Sequence, residues 1–426
     1  MTYSTINMSI VIALGIFLVC EKAIAIPYHT QNGITASKTQ LKQLTNEKTN
    51  IERSFDLSNV QQPEQRRFFS NNNIKAFQTH QFQENNHSTT IQQPQNQSRS
   101  HKDYTVIITA DPQPWRLTTG DPNSIKNRDP WIRENKKVAQ ALKSHKVDFI
   151  IVNGDLTEYG RKETYDDYAN IYKKLGVPVY EGLGNHDYAD NVQDCIIPKA
   201  FNFFADACAI SAVERMVSEI EKYEKTLSNF NKDLSEKWLF NGLYLIEGSL
   251  SYSWDHGDIH YVQLHNYPLY EVSLKERTTS IRIKNSLDWL KKDLEAADKR
   301  GKVTILNFHD ARPYLEDKDS HFLQPKNAQK LAEFKSIITN HNVKAIFVGH
   351  EHLQFYCHAE NDTVFGNIPI YTVGALFTGD YRLVNVQGKN ISVQAYNGKT
   401  GKPVLAEDFL GANRIKVFSL KGCSNL

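Results

Sequence analysis

Five short groups in this 426-residue chain carry side chains able to bind a divalent cation: Asp111-Pro112-Gln113, Gly154-Asp155, Gly184-Asn185-His186-Asp187, the lone His309, and Gly349-His350-Glu351-His352. Carboxylate and amide oxygens are hard donors and neutral imidazole a borderline one, so the set suits manganese, iron, zinc or magnesium. No cysteine is required. Singly these groups are weak or moderate signals: Asp-Pro-Gln is commonly a turn, Gly-Asp is ubiquitous, and an isolated histidine is more often structural than a ligand. Their common position makes them informative.

Each group follows an apolar run of strand length. These are Tyr104 to Ala110, Phe149 to Asn153, Val177 to Leu183, Val303 to Phe308 and Ala345 to Val348; another such run spans Ile259 to His265. Nearly continuous apolar character predicts strands covered on both faces. Between them, Arg133 to Lys143, Tyr165 to Leu175, Ile283 to Ala297 and Asn327 to Asn340 carry helical patterns, which predicts an α/β layered domain. In such sheets ligands gather beyond the carboxyl ends of strands, so loops distant in sequence can meet there. The glycines before Asp155, Asn185 and His350 allow a sharp turn and a close approach to bound ions. Later runs, Ile368 to Val373 and Ile391 to Tyr396, read as closing hairpins.

A segment of about residues 190–241 interrupts the alternation. Ile210, Val213, Met216, Val217, Ile220, Tyr223, Leu227, Phe230, Leu234 and Trp238 recur there at steps of three or four, predicting one long amphipathic helix. Packing on its own domain is the ordinary role for such a helix; a cap over the site or a partner surface are the others. Its polar face mixes Glu214, Glu219, Glu221 and Glu224 with lysines, unlike the basic face of a membrane-surface helix.

Residues 1–25 read as a signal peptide, with an apolar core from Met8 to Cys20 and Ala23-Ile24-Ala25 before the expected cleavage. No Lys or Arg precedes that core, which leaves a buried helix or an uncleaved anchor as alternatives. Residues 26–102 are rich in Gln, Asn, Ser and Thr and form a polar linker with too little apolar surface to fold. A domain over 103–400 and a tail over 401–426 follow. With 50 Lys plus Arg against 48 Asp plus Glu, there is no broad positive field and no strong nucleic-acid signal. Export leaves Cys195, Cys208, Cys357 and Cys423. An even count suits an oxidising, secreted or periplasmic setting; Cys195 with Cys208, near in sequence, is the preferred pair and Cys357 with Cys423 remains by elimination, unpaired thiols being the alternative.

In order and spacing the five groups resemble the calcineurin-like metallophosphoesterase superfamily over about residues 103–400. That resemblance implies a four-layer α/β/β/α sandwich with a helical insertion and a dinuclear metal centre. It implies that Asp111, Gln113, Asp155 and His352 hold one ion and Asp155, Asn185, His309 and His350 the other, with Asp155 bridging. Such a pair would neutralise phosphate oxygens, activate a bridging hydroxide and align in-line attack on a phosphate-ester substrate. His186 would steady developing charge or protonate the leaving oxygen, with Asp187 orienting its ring. The family commonly has His where this chain has Gln113; an amide oxygen is a weaker donor to zinc or iron, which favours manganese.

The expected function is hydrolysis of a phosphomonoester or phosphodiester. A nuclease or cyclic-nucleotide phosphodiesterase, and a catalytically silent secreted binding protein, are the competing expectations. Trp115, Tyr188 and Arg133 could touch substrate, although packing or solvation is the commoner fate of such residues. His265 is expected to be structural.

Overall fold

The structure, a computed structural model, describes residues 103–119, 124–188, 206–240, 242–276, 278–311, 321–357 and 361–404. The expected signal segment and polar linker, Cys195, Cys423 and the tail beyond residue 404 lie outside the described residues. The strands are β1 (Tyr104–Thr109), β2 (Phe149–Val152), β3 (Val179–Glu181), β4 (Ser228–Lys232), β5 (Ser235–Trp238), β6 (Tyr244–Gly248), β7 (Tyr252–His256), β8 (Ile259–Gln263) and β9 (Val272–Glu276). They continue with β10 (Thr279–Ile283), β11 (Val303–Asn307), β12 (Val343–Val348), β13 (Gln354–Cys357), β14 (Ile370–Val373), β15 (Asp380–Gln387), β16 (Asn390–Asn397) and β17 (Lys402–Pro403). The helices are α1 (Arg128–Ser144), α2 (Lys162–Tyr172), α3 (Asn185–Tyr188), α4 (Ala207–Glu224), α5 (Leu287–Lys299) and α6 (Ala328–Thr339).

Two sheets carry the site. One runs β17-β16-β15-β1-β2-β3 and the other β13-β14-β12-β11-β8-β7-β4; a smaller sheet runs β5-β6-β10-β9. β1 pairs in parallel with β2, Ile107 opposite Ile150, and antiparallel with β15, Ile107 opposite Leu383. In the larger sheet, alternation along the strands divides the side chains between two cores. Tyr261, Ile305, Ala345 and Phe347 join residues of the six-stranded sheet and of α1 and α2. Their neighbours Val262, Leu306, Ile346 and Val348 join leucines of α5 and Leu331, Phe334, Ile337 and Ile338 of α6. These contacts give the four layers of the α/β/β/α sandwich.

The helices follow from spacing. On α5, Leu287, Leu290, Leu294 and Ala297 fall on one face and are buried; each leucine contributes roughly 2 kcal/mol of transfer free energy. Gly301, with φ 71, stops the helix as its N–H bonds back to Asp298 O at 2.8 Å. Leu290→Ala would leave a cavity at a fully buried position.

The inserted segment departs from expectation. Its helix ends at Glu224, and Leu227, Phe230, Leu234 and Trp238 lie beyond it, the last on the exposed strand β5. Asn229 takes φ 50, and β4 turns back to pair with β7 across a register shift. The three-to-four spacing continued by coincidence into segments whose backbone partners are strands. As expected of an ordinary packed helix, α4 buries Ile210, Val213, Met216, Val217, Ile220 and Tyr223 in the shared core. It also covers an edge: Tyr223 Oη donates to Val179 O at 3.2 Å and accepts from Glu181 N at 3.3 Å, satisfying groups that β3 would otherwise leave bare.

Candidate metal centre

All five groups lie just past strand ends, but on two sheets. Asp111, Asp155 and Asn185 follow β1, β2 and β3; His309, His350 and His352 follow β11 and β12. A bracket of fully buried amides ties the sheets beneath them. Asn153 Nδ2 donates to Phe347 O at 2.9 Å and Asn307 Oδ1 at 3.3 Å, and Asn153 Oδ1 accepts from Gln263 Nε2 at 3.1 Å.

The backbone around the site is contorted. Asp111 (φ 54), Gln113 (φ 30), Asp155 (φ 52), His350 (φ 73) and His352 (φ 57) all occupy the left-handed region. Such conformations cost on the order of 1 kcal/mol or more each and persist where function and surrounding bonds demand them. Here Asp111 N bonds to Gly154 O at 3.0 Å and Gln113 N to Asp155 O at 3.2 Å, so the first two loops fix one another. Gly349 is needed for proximity, because a Cβ there would stand 2.7 Å from Asp111 Oδ2.

The potential ligand atoms converge. One atom each from the buried Asp111, Asp155 and His309 lies within 4.8 Å of the others. Asp155 Oδ2 is 3.2 Å from His309 Nε2 and 3.1 Å from Gln113 Nε2. Asn185 Oδ1 is 2.9 Å from both His309 Nε2 and His350 Nδ1, which are themselves 3.3 Å apart. His352 Nε2 lies 3.4 Å from Asp111 Oδ1. His309 donates its Nδ1–H to Asn153 O at 2.8 Å, turning Nε2 toward the carboxylates, the orientation that ligating imidazoles adopt.

Two details show that these residues fit a cation. Among the described residues, the buried Asp111 Oδ1 and Gln113 Oε1 have no hydrogen-bond partner, an arrangement costing about 1–3 kcal/mol per atom unless something else binds there. The electrostatics agree. Burial would lower the pKa of His309, yet Asp155 and Asp111 raise it to about 10. Burial would raise that of Asp155, but the His309 and His186 charges hold it well below the carboxylate range. A field that concentrates positive charge on an imidazole favours a divalent ion at the same place.

His186 is partly exposed. Its backbone N–H donates to Asp155 Oδ1 at 2.8 Å, while its ring Nδ1 lies 3.0 Å from Glu158 Oε1. Burial lowers its pKa, but Asp155 and Glu158 outweigh this and raise it to about 9. Arg116 clasps the same Glu158 through Nε and Nη2 at 2.9 and 2.8 Å. The expectation that Asp187 orients His186 is thereby corrected. Asp187 instead accepts from Leu156 N (3.1 Å), Thr157 N (2.9 Å), Thr157 Oγ1 (2.6 Å) and Gly184 N (2.9 Å), binding the loops after β2 and β3 together. Burial, and next Asp155, push its pKa up to about 7.

Glu158 and Arg116 were not foreseen from the sequence. The available signal was that Glu158 stands three residues after Asp155, within the same loop. His265 is structural, as expected: Nδ1 accepts from Leu183 N at 3.0 Å and Nε2 donates to Leu250 O at 2.8 Å. Tyr188 is buried, Trp115 Nε1 bonds Asp167 at 2.9 Å, and Arg133 lies beside Glu134.

A family model described as calcineurin-like phosphoesterase matches residues 104–354. No curated protein matches the chain. Among solved structures, similarity is found to a dimetal phosphatase from Danio rerio at 12% identity, covering 69% of this chain and 96% of that one, TM-score 0.45. A purple acid phosphatase from seeds of yellow lupin (Lupinus luteus) is similar at 12% identity over 75% of this chain and 57% of its own, TM-score 0.43.

Proposed function

Since the chain belongs to the calcineurin-like phosphoesterase family, over half its length matching the family model, we propose that it is an exported two-metal hydrolase of phosphomonoesters or phosphodiesters. The observation that carries this reading is the pair of buried oxygens without a hydrogen bond, Asp111 Oδ1 and Gln113 Oε1, beside the Asp155, Asn185, His309, His350 and His352 cluster. Asp111, Gln113, Asp155 and His352 would hold one ion and Asp155, Asn185, His309 and His350 the other. When bound, the ions supply charge neutralisation at phosphate oxygens and activation of water.

The chain's own residues account for orientation and proton transfer. His186, gripped at Nδ1 by Glu158, gives a proton to the leaving oxygen. Arg116 grips both oxygens of Glu158, sharing Oε1 with His186, so the carboxylate stays ionised and aligned. Asp187 keeps the loops bearing Asp155 and Asn185 in register. Manganese is the favoured metal because Gln113 offers an oxygen donor.

Export is supported by the apolar segment ending in Ala23-Ile24-Ala25. Among the described residues no helix is long and apolar enough to cross a membrane. The pairing of Cys195 with Cys208 belongs to the same proposal; recovery of both free thiols from exported, unreduced protein would exclude it.

The test is hydrolysis of nitrophenyl phosphate and bis-nitrophenyl phosphate with added manganese. Turnover abolished by a chelator and restored by the metal is expected. Metal-replete protein without turnover on a broad ester panel would overturn the enzyme reading in favour of a binding protein.

A further inference from the structure

The loop that carries Asp155 and Glu158 is held from outside by the inserted helix. It is an improbable conformation: Asp155, Tyr159 and Gly160 have φ of 52, 64 and 62. The two non-glycine residues among them resist that region of backbone space, so unaided the loop would relax. Several ties oppose this, among them three around Thr157 and Gly160. Asp187 binds the Leu156 and Thr157 amides. Thr157 Oγ1 accepts from Gly160 N at 3.0 Å. The third crosses from α4, where Arg215 Nη2 donates to Gly160 O at 2.8 Å.

Arg215 is itself fixed. Its Nη1 donates to Ser211 Oγ at 2.7 Å, one turn earlier on the helix, and its guanidinium carbon lies 4.8 Å from the centre of the Tyr165 ring. Burial lowers its pKa, opposed chiefly by Asp187. Beside it lies a small cavity of about 10 Å3, bounded by Thr157, Glu181, Asp187 and Met216 as well as Arg215. A directed charged bond fixes position between helix and loop more specifically than apolar packing does.

We infer that Arg215 of the inserted helix is a positioning residue for His186, acting through Gly160 and Glu158. Gly160 is two residues beyond Glu158, whose carboxylate meets His186 Nδ1 at 3.0 Å. Releasing the Gly160 carbonyl lets the backbone after Glu158 relax and shifts the carboxylate relative to the imidazole, even while Arg116 still grips it. Arg215 bonds to none of the proposed metal ligands, and Gly160 stands nearer Glu158 than Asp155 in the loop, so the effect falls mainly on delivery of the proton. This inference rests on the hydrolase reading above.

The test uses manganese-loaded full-length protein and two esters of the class that wild type hydrolyses, one with a nitrophenol leaving group and one with phenol. A phenolate leaving group needs the proton more. Arg215→Ala should therefore lower kcat about tenfold on the phenyl ester and under about threefold on the nitrophenyl ester, with KM and bound metal unchanged. Arg215→Gln, which keeps a donor, should fall between wild type and Arg215→Ala, and it serves if the alanine variant does not fold. Glu158→Gln should show the same leaving-group selectivity, and Arg215→Ala should add little to it in the double variant. Equal loss on both esters, full additivity, or metal loss in Arg215→Ala and Arg215→Gln would overturn the inference while leaving the hydrolase reading standing. Metal-loaded wild type without turnover would overturn both.

Discussion

Asn153→Leu isolates the amide bracket from the chemistry above it. Leucine branches at the same carbon as asparagine but is larger, so it keeps water out of a position with 0% exposure and adds some overpacking to the loss. The substitution strands two buried atoms. Gln263 Nε2 loses its acceptor and Asn307 Oδ1 its donor, whereas Phe347 O retains a bond from Phe308 N at 3.2 Å. At about 1–3 kcal/mol for each of the two stranded groups, plus about 1 kcal/mol for the bond lost at Phe347, the loss is roughly 3–7 kcal/mol. A folded domain of this size should then melt about 10 °C lower. The backbone carbonyl that orients His309 remains, so metal affinity of the folded protein should change little. Urea titration followed by circular dichroism gives the stability, and elemental analysis of the desalted folded protein gives the metal. A destabilisation below about 1 kcal/mol, or metal loss from protein that is still folded, would refute the reasoning.

Asp155→Asn should lose at least one ion with nearly all turnover, whereas His186→Ala should keep its metal while turnover falls about a hundredfold; elemental analysis giving the opposite pattern would defeat the ligand assignment. Gln113→His, which puts a nitrogen donor where Oε1 is buried without a hydrogen-bond partner, should retain metal better through desalting and depend less on added manganese; wild type, Gln113→His and Gln113→Ala responding alike would remove Gln113 from the ligand set. His260 is clamped by Asp255 at 2.7 Å and Asp293 at 2.9 Å; burial lowers its pKa, but these carboxylates raise it above the ordinary value. Its contribution is therefore full below an unfolded pKa of about 6.5 and fades as pH rises through the folded one. The stability gap between wild type and His260→Gln should be wider at pH 6 than at pH 10, and a gap that widens with pH would contradict the clamp.

The site was more legible than its support. Asp111, Asp155, Asn185, His309, His350 and His352 announce themselves because metal chemistry restricts residue type and each follows an apolar strand. Glu158, Arg116 and Arg215 have no such restriction: a carboxylate or guanidinium is ordinary on any surface, and only folding brings these to His186 or its loop. Asp187 adjoins His186 in sequence and invited pairing with it, but α3 turns the two side chains to different neighbours. Strands β9 and β10 went unread because their alternation is short and half exposed. The end of α4 was misplaced because helical spacing cannot reveal that Ser228 onward finds a partner in β7.

The placement of β1 between β2 and β15 bears on when this protein can acquire its ions. Thr105 bonds across to Asn385, 280 residues later in the chain, a separation of roughly 15 to 60 s at ordinary rates of synthesis. Early in that interval Asp111, Asp155 and Asn185 emerge ahead of the histidines that follow β11 and β12. Oxygen donors alone hold transition metals loosely. The composition of the centre is therefore decided late, in whichever compartment the last strands close, by the ions available there rather than by those met first.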